Sequence, residues 1–184
     1  MRVTRHPYAV DGWGVGELWV GDGSIVVAHD PPSASAAANS ATTSVRPPRG
    51  TPGAPTDTLS GDQSRDGDGF VDDVLQRLHS YFAGKPTSLV DVRLDLEGTT
   101  PFQSDAAEVL RNVPWGEVVT NGELAELAGY PRAARAAGTF CAHNRFSLFL
   151  PCHRVVGSGG IGGYGSLGVD YKRKLLRLEG HASL

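Results

Sequence analysis

Thr120-Asn121-Gly122-Glu123-Leu124-Ala125-Glu126-Leu127-Ala128-Gly129-Tyr130-Pro131-Arg132-Ala133-Ala134-Arg135-Ala136-Ala137 is the stretch from which the architecture can be read. Thr120 with Glu123 three residues on forms a capping box for a short helix through Leu127, and Gly129 ends it. Pro131 opens the next helix, over 132–137. Two short helices joined by Gly129-Tyr130 predict a helix-turn-helix. Just upstream, Thr100-Pro101 supplies a cap and a first-position proline; Phe102, Ala106, Val109, Leu110 and Val113 then recur at helical spacing until Pro114. The second half is therefore expected to be mainly helical.

The first half reads differently. Gly16–Val20 and Ser24–Ala28 flank Gly21-Asp22-Gly23, which is hairpin chemistry. Phe70, Val71, Val74, Leu75, Leu78, Tyr81 and Phe82 fall on one helical face, with Gly84 placed to end the helix. Val90, Val92, Leu94 and Leu96 alternate with polar residues, which predicts a half-buried strand. Between hairpin and helix, residues 31–69 hold six of the 12 prolines, no aromatic residue, and only Val45 and Leu59 as larger aliphatics. Too little surface is available there to offset roughly 1–2 kcal/mol per residue of lost backbone freedom, so a disordered insertion is expected. The predicted fold class is α+β. A small sheet-plus-helix domain (1–96, with the insertion) precedes a mainly helical domain (100–181) containing the helix-turn-helix.

At 184 residues and 40% hydrophobic content, one domain or two small ones fit. The net charge of −3 divides unevenly: residues 1–98 carry 8 Lys+Arg against 13 Asp+Glu, residues 99–184 carry 9 against 7. A polyanion is therefore expected to meet the second half. The two cysteines, Cys141 and Cys152, cannot make a disulfide framework, which points to a reduced cytoplasm. No apolar run is long enough for a membrane span, and the start lacks the apolar stretch of a secretory signal.

Two features carry chemistry. Arg132 and Arg135 stand among small side chains and, three apart on a helix, share a face. Either Arg135 reaches between base pairs from a groove, or the helix lies on the core with solvated arginines. The second feature is Leu148-Phe149-Leu150-Pro151-Cys152-His153-Arg154-Val155-Val156, where a thiol and an imidazole sit inside apolar sequence. Pro151 points to a turn. Cys152 is either a small buried hydrophobe or a nucleophile, which requires a stabilised thiolate. His153 is the available base. Adjacent side chains of an extended chain diverge, so a bridging water is favoured over direct contact. Glu179 is the candidate to orient the imidazole. Gly157-Ser158-Gly159-Gly160-Ile161-Gly162 fits a dinucleotide fingerprint in letters only, because it opens no helix. Lys172-Arg173-Lys174 reads as a solvated face, and Cys141 as packing within its helix.

Pro151-Cys152-His153-Arg154-Val155, with Asn144 upstream and Gly162-Gly163-Tyr164-Gly165 and Lys172–Gly180 downstream, resembles the O6-alkylguanine-DNA alkyltransferase family, also called methylated-DNA–protein-cysteine methyltransferases. The likeness extends over Val113–Val119 and Pro131–Gly138, in all from about Thr100 to His181. It implies direct, single-use transfer of an alkyl group from O6-alkylguanine in double-stranded DNA, with O4-alkylthymine as a further substrate to test. Cys152 is then the acceptor, His153 the water-mediated base, Glu179 its orienter and Asn144 the brace of the active-site segment. Arg135 replaces the flipped nucleotide, Thr120, Asn121, Arg132 and Ala134 border the DNA, and Val155, Gly163, Tyr164 and Gly165 line the base pocket. The transfer that the resemblance implies requires no cofactor and no metal; a monomer with no membrane partner is expected. Asn121 stands where the family has a tyrosine, Arg145 where it has a proline, and the glycine loop before Tyr164 is one residue shorter. The loss of that tyrosine motivates an alternative, a protein that binds alkylated DNA without transfer. A cysteine hydrolase is a third reading, for which the sequence offers no oxyanion arrangement.

Overall fold

The computed structural model describes residues 1–34 and 65–182. Their fold mixes α and β in two compact units. The first gathers the described residues of Met1–Phe82 with Asp91–Asp95 and Arg145–Ser147. Its strands β1 (Val3–Val10), β2 (Gly14–Gly21) and β3 (Ile25–Ser33) form an antiparallel sheet in the order β1-β2-β3. Asp22 (φ +46) and Gly23 (φ +71) turn the β2–β3 hairpin as the glycine-rich sequence predicts. Helix α1 (Arg65–Phe82) follows, with Val71, Val74, Leu78, Tyr81 and Phe82 buried and Gly84 at φ +76 beyond its end. The rings of Trp13 and Phe82 lie 4.9 Å apart, which joins helix to sheet.

Both edges of the expected insertion are structured, since β3 runs to Ser33 and α1 begins at Arg65. The rest of that stretch, 35–64, lies outside the described residues. Among the described residues, the strand expected over 90–96 is reduced to a single parallel bridge, Val26 with Leu94. Val90 is exposed while Asp95 is buried, the reverse of what the alternation requires. Among the described residues, pairing consists of Arg93 O, which accepts from Val26 N (2.8 Å), and Asp95 N, which donates to Val26 O (2.9 Å).

The second unit gathers Ala83–Val90, Leu96–Asn144 and the described residues from Leu148. Helix α2 (Pro101–Arg111) starts from a full Thr100–Gln103 capping box. Strand β4 (Val119–Thr120) pairs in parallel with β5 (Val155–Val156). Helix α3 (Asn121–Leu127) has the expected Thr120–Glu123 capping box, and Gly129 beyond it takes φ +87. Helix α4 does not begin at Pro131 but at Ala134, and runs to Ala142. Arg132 takes φ +78, a left-handed conformation that a helix cannot continue through. Arg132 and Arg135 therefore do not share a helical face. The terminal helix, α5, spans Gly168–Leu178. No helix among the described residues is long and apolar enough to cross a membrane.

His29 on β3 gives the first unit a titratable core. Its ring is buried, with Tyr8 Oη 2.6 Å from Nε2 and Ser147 O 2.6 Å from Nδ1. Burial lowers its pKa to about 4 despite the Ser147 bond. A folded pKa below the unfolded value of 6.5 means the unfolded chain binds the extra proton, so stability is complete above pH 6.5 and falls as the pH drops towards 4. The full contribution is about 3 kcal/mol. Urea unfolding is expected to show the His29→Asn variant losing less stability between pH 7.5 and 5 than the wild type, by about 2 kcal/mol. Identical pH slopes would contradict this assignment.

Candidate active site

Pro151, φ −75 and ψ 63, turns the chain into a single 3-10 turn, Cys152–Arg154, before β5. The turn is closed by Cys152 N donating to Leu150 O (2.7 Å) and Arg154 N to Pro151 O (2.8 Å). Leu148 ahead of it sits at φ +72, a conformation costly for a leucine and held here by its surroundings. The turn sends Cys152 to Asn144, and His153 and Arg154 together to Glu179. Asn144 Nδ2 donates to Cys152 Sγ at 3.0 Å and to Leu150 O at 2.8 Å, so one amide grips both the sulfur and the backbone that presents it.

His153 and Arg154 both turn to Glu179, which follows α5 directly. His153 Nε2 lies 2.8 Å from Glu179 Oε1, and Arg154 donates from Nε to Oε2 and from Nη2 to Oε1, each at 2.9 Å. Arg154 Nη1 also donates to Val113 O (2.6 Å). All three residues are buried. Burial alone would raise the Glu179 pKa, but the hydrogen bonds and charges of His153 and Arg154 outweigh it and hold the carboxyl well below its usual range. His153 is shifted down, by burial first, against the opposing pull of Glu179. A neutral imidazole facing a carboxylate carries its proton on Nε2, which leaves Nδ1 as the atom able to accept one.

Cys152 forms part of the wall of a cavity of about 230 Å³, together with Val155, Gly163, Tyr164 and Gly165 from the following chain and Asn121, Gly138, Cys141 and Ala142 from α3 and α4. The pairing of β4 with β5 brings α3 to this wall, where Asn121 Nδ2 donates to Val156 O (3.2 Å). A larger, open depression of about 650 Å³ lies between α2 and α3, but Asp105, Glu108 and Glu117 rim it and it holds no nucleophile.

Residues 101–181 match the family of the 6-O-methylguanine DNA methyltransferase DNA binding domain. The methylated-DNA–protein-cysteine methyltransferase of Mycobacterium tuberculosis is 45% identical over 112 residues, 60% of this chain and 66% of the relative's length. The crystal structure of a variant of M. tuberculosis O6-methylguanine methyltransferase aligns with a TM-score of 0.70 at 32% identity, covering 100% of this chain and 96% of that one. The chain belongs to the methylated-DNA–protein-cysteine methyltransferase family. The crystal structure of M. tuberculosis OGT in complex with DNA aligns with a TM-score of 0.68 at 33% identity, over 95% of this chain and 91% of that one.

Of the positions the family resemblance marks, the structure brings Cys152, Asn121, Val155, Gly163, Tyr164 and Gly165 to one cavity, with Asn144 on the sulfur and Glu179 on His153. Arg135 is exposed on α4, and Arg132 is exposed ahead of it rather than on it. Thr120 is occupied as the α3 cap, and Ala134 is the first residue of α4.

Burial pushes the Cys152 thiol up, against the opposing pulls of the Asn144 bond, Lys172 and the Tyr164 bond. Lys172, read as solvated, is buried at 1% exposure. Its Nζ donates to Val155 O (2.6 Å) and Gly163 O (3.3 Å), tying together two walls of the cavity beside Cys152 and Cys141. Its spacing from Leu175 and Leu176 on α5, three and four residues, was the signal for an inward face. Cys141, chiefly through burial, is pushed up to about 12 and is a poor competing nucleophile.

Proposed function

We propose that this chain repairs DNA by transferring the alkyl group of O6-alkylguanine to its own Cys152. The carrying observation is one buried sulfur on a tight turn, gripped by Asn144, in the wall of a small cavity. A target atom inside a duplex is out of reach of such a sulfur, so the base must be extruded at a cost of a few kcal/mol. Helices α3 and α4 act as a helix-turn-helix in the minor groove, within a transferase and DNA-binding domain over 100–181. Arg135 fills the gap in the stack, while Thr120, Arg132 and Ala134 border the DNA.

Proton transfer then makes the nucleophile. His153 Nδ1 takes the Cys152 proton through a water, and the Glu179 carboxylate stabilises the imidazolium formed. Sulfur attacks the alkyl carbon, the carbon–O6 bond breaks, and the leaving guanine takes up the proton that Cys152 gave to His153, which returns to neutral. The product is a thioether, so each molecule acts once. Neither metal nor cofactor enters this displacement, and the free thiol suits a reduced cytoplasm. Asn121 supports the second reading, binding without transfer, because its carboxamide cannot stack on a base as the family tyrosine does.

Incubation with a duplex containing O6-methylguanine is expected to yield repaired guanine up to one per protein molecule, and then stop. Tight binding with no repaired guanine favours the second reading, and continued turnover contradicts both. Arg135→Ala is expected to slow transfer from duplex DNA about tenfold while leaving the reaction with free O6-benzylguanine nearly unchanged. Equal losses on both substrates would assign Arg135 to the fold instead.

A further inference from the structure

Asn144 holds the sulfur, yet the three residues that follow it belong to the sheet-containing unit. Arg145, Phe146 and Ser147 join β3 at His29. His29 N donates to Arg145 O (2.8 Å), Phe146 forms a parallel bridge with His29, and the His29 ring reaches Ser147 O. Arg145 Nη2 donates to Asp95 O (2.7 Å), and its guanidinium lies 4.9 Å over the Phe146 ring. The chain then turns through Leu148 to the segment carrying Cys152.

A carbonyl can only accept, so His29 Nδ1 must carry the proton in its bond to Ser147 O. The neutral ring then accepts at Nε2 from the Tyr8 hydroxyl, and both nitrogens are committed. His79 stacks edge-on to Tyr8 from α1. The family's proline would stiffen the chain at position 145 by its ring. Arg145 has no such ring, so hydrogen bonds from β3 and the 91–95 segment do that work.

We propose that His29, backed by Tyr8, is a positioning residue for the alkyl transfer: by holding residues 145–147 it sets Asn144 on one side and the Leu148–Cys152 turn on the other. This rests on the transfer reaction proposed above. An error of about 1 Å in placing a reacting group costs up to about a hundredfold in rate.

The test uses the full chain and single-turnover transfer from an O6-methylguanine duplex, expressed per folded molecule. His29→Leu, which removes both ring bonds, is expected to react at least about tenfold more slowly. Free O6-benzylguanine should show the same loss, with affinity for undamaged duplex unchanged. His29→Asn, which keeps a donor near the Ser147 carbonyl, should recover part of the rate. Combining His29→Leu with Asn144→Ala should be no slower than the slower single variant, because both act on one atom. A His29→Leu protein that reacts at the wild-type rate despite a lower melting temperature overturns the proposal, as do losses that multiply in the double variant. Should His29→Leu not fold, Tyr8→Phe decides: a loss of about threefold or more supports the proposal, and the wild-type rate overturns it. A wild type that transfers nothing removes the reaction and this inference together, whereas a wild type matched by its variants removes only the inference.

Discussion

Replacing Glu179 by alanine is expected to lower the melting temperature by about 10 °C and to slow transfer by about a hundredfold or more. The stability loss comes from Arg154. Its Nε and Nη2 would lose the Glu179 carboxylate while the residue stays 8% exposed, leaving an uncompensated buried cation. Such a charge costs about 3–5 kcal/mol, and each kcal/mol moves the melting temperature of a chain this size by roughly 2–4 °C. The rate loss comes from His153. Without the carboxylate at 2.8 Å nothing fixes the proton on Nε2 or stabilises the imidazolium formed when Cys152 is deprotonated. Glu179→Gln keeps the shape and one acceptor but not the charge, so it should fall between wild type and Glu179→Ala in stability. Thermal unfolding by circular dichroism and single-turnover rates at a temperature where all variants are folded check both effects. A Glu179→Ala protein with native stability would show that Arg154 finds water instead, and native rates would remove His153 from the chemistry.

Lys172→Met is expected to slow transfer about a hundredfold, the usual cost of removing a preorganised polar group from a reaction site. The methionine fills similar volume, so the change isolates the amine. Two consequences follow from its bonds and its place beside the sulfur. Val155 O and Gly163 O lose a shared donor, which loosens the cavity wall. The Cys152 thiol loses a neighbour that pulls its pKa down, so thiolate formation becomes harder. The pH dependence of iodoacetamide labelling at Cys152 should therefore move to higher pH in the variant. A slower transfer with an unmoved labelling profile would confine Lys172 to holding the wall.

Local rules carried most of the helical half. The Thr120–Glu123 box and the glycine at 129 each depend on a few neighbouring residues, and both form as read. The 90–96 segment misled because alternation records only which side chains are apolar, while pairing depends on whether another strand lies alongside; among the described residues only Val26 pairs with it. The start of α4 misled for a related reason. Pro131 is compatible with a first helical position, but Arg132 at φ +78 delays the helix to Ala134. At the site, the sequence singled out Cys152, His153, Asn144 and Glu179, and the structure places Asn144 on the sulfur and Glu179 on the imidazole. The motif around Cys152 gave no sign that Arg154 shares Glu179, an association across 25 residues, nor that burial outweighs the groups favouring the thiolate. Both depend on what surrounds the turn in three dimensions, and local sequence does not record that.

The most direct measurement is the intact mass of the protein after incubation with O6-methylguanine duplex, followed by peptide mapping. The proposed chemistry requires the mass of a single added methyl group, located on Cys152 and absent from Cys152→Ala. An unchanged mass after the lesion has been bound to saturation would contradict it, and so would a methyl group found on Cys141.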